Sequence, residues 1–219
     1  MHSLDAESAH AWAHSRALLL NGPKRVGKDT IFEMIRAAIP GNAVCRIAFA
    51  DALRNHACQK YQITPVMRAQ LEEVKDTPTP LLSGRSWRQV LIDEGQTARA
   101  RHGTDYWAKQ WVAAARAHAD RTRRPALFVA TDCRFLAEYN TVWEALGFIE
   151  LVHVERPHHD FNEDVGLYLQ PITDRAPLKI CNNGDLYALR QQVIALLRRD
   201  FFKAFLHKPL SLSKSGKCP

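Results

Sequence analysis

The residues with the clearest chemistry lie together near the amino end, in Asn21-Gly22-Pro23-Lys24-Arg25-Val26-Gly27-Lys28-Asp29-Thr30. Gly22, four residues, Gly27 and Lys28 have the spacing of a phosphate-binding loop. Glycines let the backbone turn tightly and approach an anion closely. The N–H groups of the loop, Val26 included, then point into one concavity, and a helix starting there adds roughly half a positive charge at its N-terminus. Lys24 and Arg25 add full positive charge, and Lys28 is spaced to reach the β- and γ-phosphates of a nucleotide. The next position of the signature carries a Ser or Thr whose hydroxyl ligates Mg²⁺; here Asp29 stands there, followed by Thr30. A carboxylate can hold Mg²⁺ directly or through water, and Thr30 can donate to the α-phosphate. The plainer alternative is a glycine turn at a helix start, with Asp29 complementing the dipole.

A second group of charged residues follows two later apolar runs. Asp132 and Arg134 come just after Pro125–Thr131, where open α/β sheets bind ligands. Asp132 can enter a Mg²⁺ shell or orient an acceptor, and Arg134 can neutralise phosphate charge; a capping Asp and a surface Arg are the alternative. Asp51 follows another strand-like run and reads equally as a helix cap or a contact to the acceptor. Arg85, Arg88, Arg99 and Lys109 are further candidates for an acceptor phosphate, because Arg offers bidentate donors. Trp87, Trp107 and Trp111 read first as core aromatics, with Trp87 and Trp107 kept as candidates to stack a base.

These residues need a scaffold, and the hydrophobic pattern supplies one. Ala17–Leu20 is a strand, and a helix with Ile31, Ile35, Ala38 and Ile39 on its buried face follows, stopped at Pro40-Gly41. Ala43–Phe49 reads as a strand leading into a helix, and Thr64-Pro65 starts another helix running to Lys75. Residues 76–84 are a Pro-rich surface connection. A helix capped by Ser86 is expected to break at Gly95-Gln96, and an amphipathic helix runs from Tyr106 to about Ala119. Pro125–Thr131, Phe148–Val154 and Leu178–Cys181 complete the strands, with helices at Glu138–Leu146 and Asp185–Phe205. Residues 157–176 lack periodicity, and the expected role of so long a segment is a lid that closes over a nucleotide.

The expected fold class is therefore α/β: a central, mostly parallel five-stranded sheet with helices on both faces. Residues 1–15 are expected to be a solvated extension before the first strand, in part helical, 16–205 the domain with a helical acceptor region at about 51–119, and 206–219 a basic tail.

A chain of 219 residues suits one such domain. Its five cysteines (Cys45, Cys58, Cys133, Cys181, Cys218) fall in no paired C-x-x-C spacing, so neither a disulfide framework nor a zinc site is indicated. With no apolar segment of signal or membrane length, a cytoplasmic protein without a membrane partner is expected. The net charge of +7 suits phosphate ligands and nucleic acid alike. No Ser–His–Asp or Cys–His arrangement stands out, which favours a transferase over a hydrolase.

Taken in order, these segments resemble the deoxynucleoside monophosphate kinases of tailed bacteriophages. The likeness is carried by Leu20–Thr30, Phe49–Leu53, Trp87-Arg88 with Gly95 and Tyr106-Trp107, Thr131–Arg134, Gly147 to Pro157, and Cys181–Leu186. It implies a P-loop kinase fold and a Mg²⁺-dependent transfer of phosphate from ATP to a deoxynucleotide. It further implies that Lys24, Arg25, Lys28, Asp29 and Thr30 handle ATP and metal. Arg88, Asp132 and Arg134 would handle the acceptor or transition state, and Arg156 or Arg175 would border the lid. Gln96-Thr97 departs from the Gly-Thr-Asp expected there. Two other readings stay open: a kinase acting on a hydroxymethylated base within viral DNA, and a non-catalytic, nucleotide-dependent DNA-binding module. A homodimer is compatible with all three.

Overall fold

The computed structural model describes residues 2–39, 41, 43–161, 167–170 and 176–206, with side chains from residue 6 onward. In chain order the elements are α1 (His2–Ala13), β1 (Arg16–Asn21), α2 (Lys28–Ala38), β2 (Val44–Arg46), α3 (Phe49–Lys60), α4 (Pro65–Glu73), β3 (Pro78–Thr79), β4 (Arg85–Ser86), α5 (Trp87–His102), α6 (Tyr106–Thr122), β5 (Leu127–Ala130), α7 (Leu136–Leu146), β6 (Ile149–Glu155), β7 (Leu178–Cys181) and α8 (Leu186–Leu197). Five strands form one sheet in the order β2-β5-β1-β6-β7, and every pairing is parallel. The short β3 and β4 pair antiparallel on their own.

Parallel strands are covered on both faces, so they read as unbroken apolar runs, and β5 (Leu-Phe-Val-Ala) is buried throughout. Because side chains alternate along a strand, Leu19 and Phe128 enter one core with Trp111 of α6 and Val142 of α7. Leu18, Leu20, Leu127 and Val129 enter the other with Ile31 and Ile35 of α2 and Leu189 and Val193 of α8. A third, smaller cluster joins Ala57 of α3, Leu71 of α4 and Trp87 and Val90 of α5. It makes the helical region a unit that stands beside the sheet.

The chain goes from β1 out to β2 and returns to insert β5 between them. That insertion sets the loops after β1 and β5 side by side, with Leu19 in register with Ala130. Strand reversals of this kind create the ligand crevice of open α/β sheets.

Several expectations need correction. Gly95-Gln96 does not break the third helix; α5 runs on to His102. Gly95 serves packing instead, since a Cβ there would stand 3.3 Å from Leu53 Cδ2 of α3. Its carbonyl also accepts the Trp107 Nε1–H at 3.2 Å. The expected second strand is confined to Val44–Arg46, and Phe49 already belongs to α3. The amino-terminal extension is helical, as its residues allow, but it is not merely solvated: α1 docks on α6, with Ala11 buried, Trp12 packed against the same core and Ser8 donating to Asp120. The last helix ends at Leu197, and a 3₁₀ turn, Asp200–Phe205, buries Phe202 and Phe205.

Candidate functional site

The loop after β1 has the backbone shape its glycines suggest. Arg25 and Gly27 have positive φ, 60° and 102°, and α2 begins at Lys28. Two other strands hold the loop from behind. Asn182, after β7, donates to Val26 O at 2.8 Å, and Arg156, after β6, donates to Arg25 O at 3.1 Å. Lys28 Nζ folds back on the loop, donating to Gly22 O at 2.6 Å and Pro23 O at 2.5 Å. Gly22 is needed for close approach, because a Cβ there would lie 2.4 Å from the backbone oxygen of Val154. A sheet backbone cannot swing aside as a side chain can. Gly22→Ala is therefore expected to cost roughly 3 kcal/mol of stability, as overpacking does, measurable as a lower denaturation midpoint.

Two cavities open on either side of this loop. One cleft is lined by Arg25, Gly27–Thr30, Arg156, Asn182 and the Gly184–Leu186 turn. Asp29 is exposed there, 3.5 Å from Arg46, which also donates to Thr131 Oγ1 at 3.2 Å. Among the described residues no group of three His, Cys, Asp or Glu could hold a metal. Mg²⁺ does not require one, since it is bound by one or two carboxylates plus phosphates and waters. The exposed Asp29 carboxylate beside a glycine cradle and Lys28 fits Mg²⁺–ATP.

The second cavity has a volume of about 270 Å³, just below the roughly 300–1,000 Å³ usual for ligand pockets. Lys24 reaches it from the loop, Arg88, Gln96 and Arg99 from α5, Trp107 from α6, and Asp132, Arg134, Phe135 and Glu138 from the β5–α7 region. Arg88 is ion-paired with Asp76, and Arg88, followed by Lys75 and Lys24, holds that carboxyl below its usual range. Of the residues expected at an acceptor site, Lys24, Arg88, Arg99, Trp107, Asp132 and Arg134 are thus brought together.

Others lie elsewhere. Arg85 stacks on Tyr61, its guanidinium carbon 5.5 Å from the ring centre, and lies 3.5 Å from Asp93. Trp87 is fully buried and donates to Glu72 Oε1 at 3.0 Å. Asp51 accepts the Ala48 N–H at 2.9 Å, the capping alternative. Lys109 pairs with Asp105 at 2.8 Å. Asp132 is half-buried and also caps α3: Oδ1 accepts from Phe49 N at 2.9 Å and Oδ2 from Ala50 N at 3.0 Å. Asp29 and Asp132, the two expected metal ligands, therefore face different cavities. Arg175 and half of the expected lid, residues 162–166 and 171–175, lie outside the described residues.

Four polar residues make contacts around the site that their place in the sequence does not reveal: Asn21, His153, Asn182 and Glu138. Asn21 is buried and donates to Cys133 O at 2.9 Å and Leu167 O at 3.2 Å, while accepting the Leu169 N–H at 3.0 Å. His153 Nε2 bonds Leu169 O at 2.8 Å, and burial pushes its pKa down. Together they tie Leu167 and Leu169 to β1 and β6. The only local signal is a polar residue at the end of, or within, an apolar strand.

Burial beside Asp132 raises the Glu138 carboxyl from its ordinary 4.5 to about 7, against the opposing pull of the Arg134 and Phe135 N–H groups and the Arg99 charge. The folded state therefore binds more protons than the unfolded one between these values, so this contribution to stability is full below about pH 4.5 and is lost as pH rises through about 7. The shift corresponds to about 3 kcal/mol. The stability of Glu138→Gln relative to the wild type should accordingly rise by about that much between pH 4.5 and pH 8 in paired denaturant titrations.

No protein-family model and no curated protein matches the chain. Among solved structures it is similar to an unliganded sugar kinase from Janibacter sp., with 13% identity, coverage of 89% of this chain and 99% of the other, and a TM-score of 0.46. A likeness so distant carries no argument about substrate or activity. The chain itself has a five-stranded parallel α/β fold with helices on both faces and a glycine loop between two cavities.

Proposed function

We propose that the protein is a kinase that transfers the γ-phosphate of ATP to a deoxynucleoside monophosphate. The observation that carries this reading is that one loop serves both cavities: Lys24 lines the α5 cavity, while Arg25 and Gly27–Thr30 line the cleft beside it. A donor triphosphate held by the loop amides and Lys28 thus borders an acceptor held near Lys24, Arg88 and Arg134. Phosphoryl transfer asks mainly for in-line placement and positive charge around the moving group. An oxygen of the acceptor phosphate attacks the γ-phosphorus, the bond to the β–γ bridging oxygen breaks, and ADP leaves. That oxygen is already anionic, so no strong general base is required.

Mg²⁺ would be held by Asp29 and the triphosphate, neutralising charge on the β- and γ-phosphates. Lys28 exchanges the Gly22 and Pro23 carbonyls for phosphate oxygens. Arg156, bonded to Arg25 O, borders the nucleotide. Phe49, Trp107 and Phe135 give the acceptor cavity an apolar body for a base.

The test is to incubate purified protein with ATP, Mg²⁺ and each dNMP in turn, resolving ADP and dNDP. Failure with every natural and modified dNMP sinks the proposal. Duplex DNA carrying hydroxymethylated pyrimidines belongs in the same screen, because labelled phosphate appearing in DNA would instead establish the base-in-DNA reaction.

A further inference from the structure

Glu138 lies on α7 at the wall of the acceptor cavity, with only 5% of its surface exposed. One of its oxygens is occupied locally. Oε2 accepts the N–H of Arg134 at 2.7 Å and of Phe135 at 3.1 Å, closing the first turn of α7. The other, Oε1, makes no hydrogen bond among the described residues. No buried side-chain oxygen or nitrogen among them is both sealed from solvent and unpartnered, so Oε1 opens to the cavity that Glu138 lines. A half-buried Arg99 lies close enough to attract it, with its guanidinium carbon 4.4 Å from the centre of the Phe135 ring.

Helix α5 shows which part of an acceptor would meet this oxygen. Arg88, in its first turn, lines the cavity together with Lys24 and is paired with Asp76. Arg99 lies eleven residues further along the same unbroken helix, about 16 Å at 1.5 Å per residue. A phosphate belongs at the Lys24–Arg88 end, where positive charge adjoins the glycine loop. The opposite end, where Arg99, Phe135 and Glu138 meet, then receives the base.

Resting on the nucleotide-kinase reading, we propose that Glu138 is the specificity residue for the acceptor base, its free Oε1 accepting a hydrogen bond from a base N–H. A site built around a buried hydrogen-bonding group rejects analogues that lack the matching group, because the site's own polar atom is then left unpaired. Burial makes the discrimination larger than an exposed carboxylate would give.

Glu138→Gln separates this role from the capping role. The Gln carbonyl can take over the Arg134 and Phe135 N–H bonds, which leaves an NH₂ donor facing the cavity where an acceptor stood. Calorimetric titration of wild type and Glu138→Gln would use the four dNMPs and two analogues without a base N–H, 2′-deoxynebularine and pyrimidin-2-one deoxyriboside 5′-monophosphates. The wild type should bind its preferred dNMP about tenfold to a hundredfold more tightly than the matching analogue, and the variant should lose that preference. Its affinity for ATP should be unchanged. A uniform weakening of all acceptors, analogues included, would indicate packing alone and overturn the proposal, as would unchanged binding of the preferred dNMP. Absence of dNMP binding by the wild type would overturn the nucleotide-kinase reading itself, and this inference with it.

Discussion

Lys28→Ala should lower kcat for dNMP phosphorylation about a thousandfold or more, the scale on which phosphoryl transfer depends on its positive charges. The reason lies in where that ammonium sits. Without nucleotide, Lys28 Nζ spans the loop, bonded to Gly22 O and Pro23 O. It is therefore held within the concavity formed by the backbone amides, beside the Asp29 carboxylate at the same helix start. The variant loses the bonds to Gly22 O and Pro23 O in a partly solvated place, so its stability should fall by only about 1–2 kcal/mol. Steady-state assays together with thermal denaturation separate the two effects. If turnover stayed within tenfold of wild type in a folded variant, the glycine loop would not be the ATP site.

Lys24→Ala makes an informative companion, because Lys24 lines the acceptor cavity. Its loss should raise KM for the dNMP more than KM for ATP, the opposite of what a purely triphosphate-binding loop would show.

The second large effect concerns stability. Asp132→Ala should destabilise the protein by about 3 kcal/mol, since two N–H bonds to an ionised carboxylate are lost and the Phe49 and Ala50 donors are left unpaired. For a chain of this length that corresponds to a fall in Tm of roughly 6–12 °C. The loss is larger than for an ordinary cap because the carboxylate follows β5 and ties α3 to the sheet. α3 also forms part of the acceptor cavity through Phe49, Ala50 and Leu53, so dNMP binding should weaken with it. A variant with unchanged Tm and a sharply raised Mg²⁺ requirement would instead make Asp132 a metal ligand. Differential scanning calorimetry with Mg²⁺ titrations of activity distinguishes the two.

Local chemistry explains how much of the site is legible in the sequence. The loop Gly22–Thr30 is contiguous, and its glycines, lysines and helix start act on one another over a few residues, so their spacing alone predicts a phosphate cradle. The buried strands are also local statements, because a parallel strand covered on both faces must be apolar throughout. The long-range pairs are of another kind. Asp51 and Asp132 look alike in sequence, each an acid after an apolar run. Their roles diverge because Asp51 caps its own helix, whereas Asp132 reaches the start of a helix more than eighty residues earlier. Gly95 resembles a helix break, and only the approach of Leu53 shows why a glycine is tolerated within α5.

By itself, then, the order of residues determined the strands of the sheet, the α/β class and the glycine turn after β1, all of which depend on neighbours within about one helical turn or strand. Tertiary structure alone decided which charges share a cavity. That outcome depends on β5 entering between β2 and β1 and on α5 lying along the acceptor cavity, and no spacing in the chain encodes either contact. It also decided that Glu138, an acid on an amphipathic helix, would be largely buried at the wall of the cavity along α5.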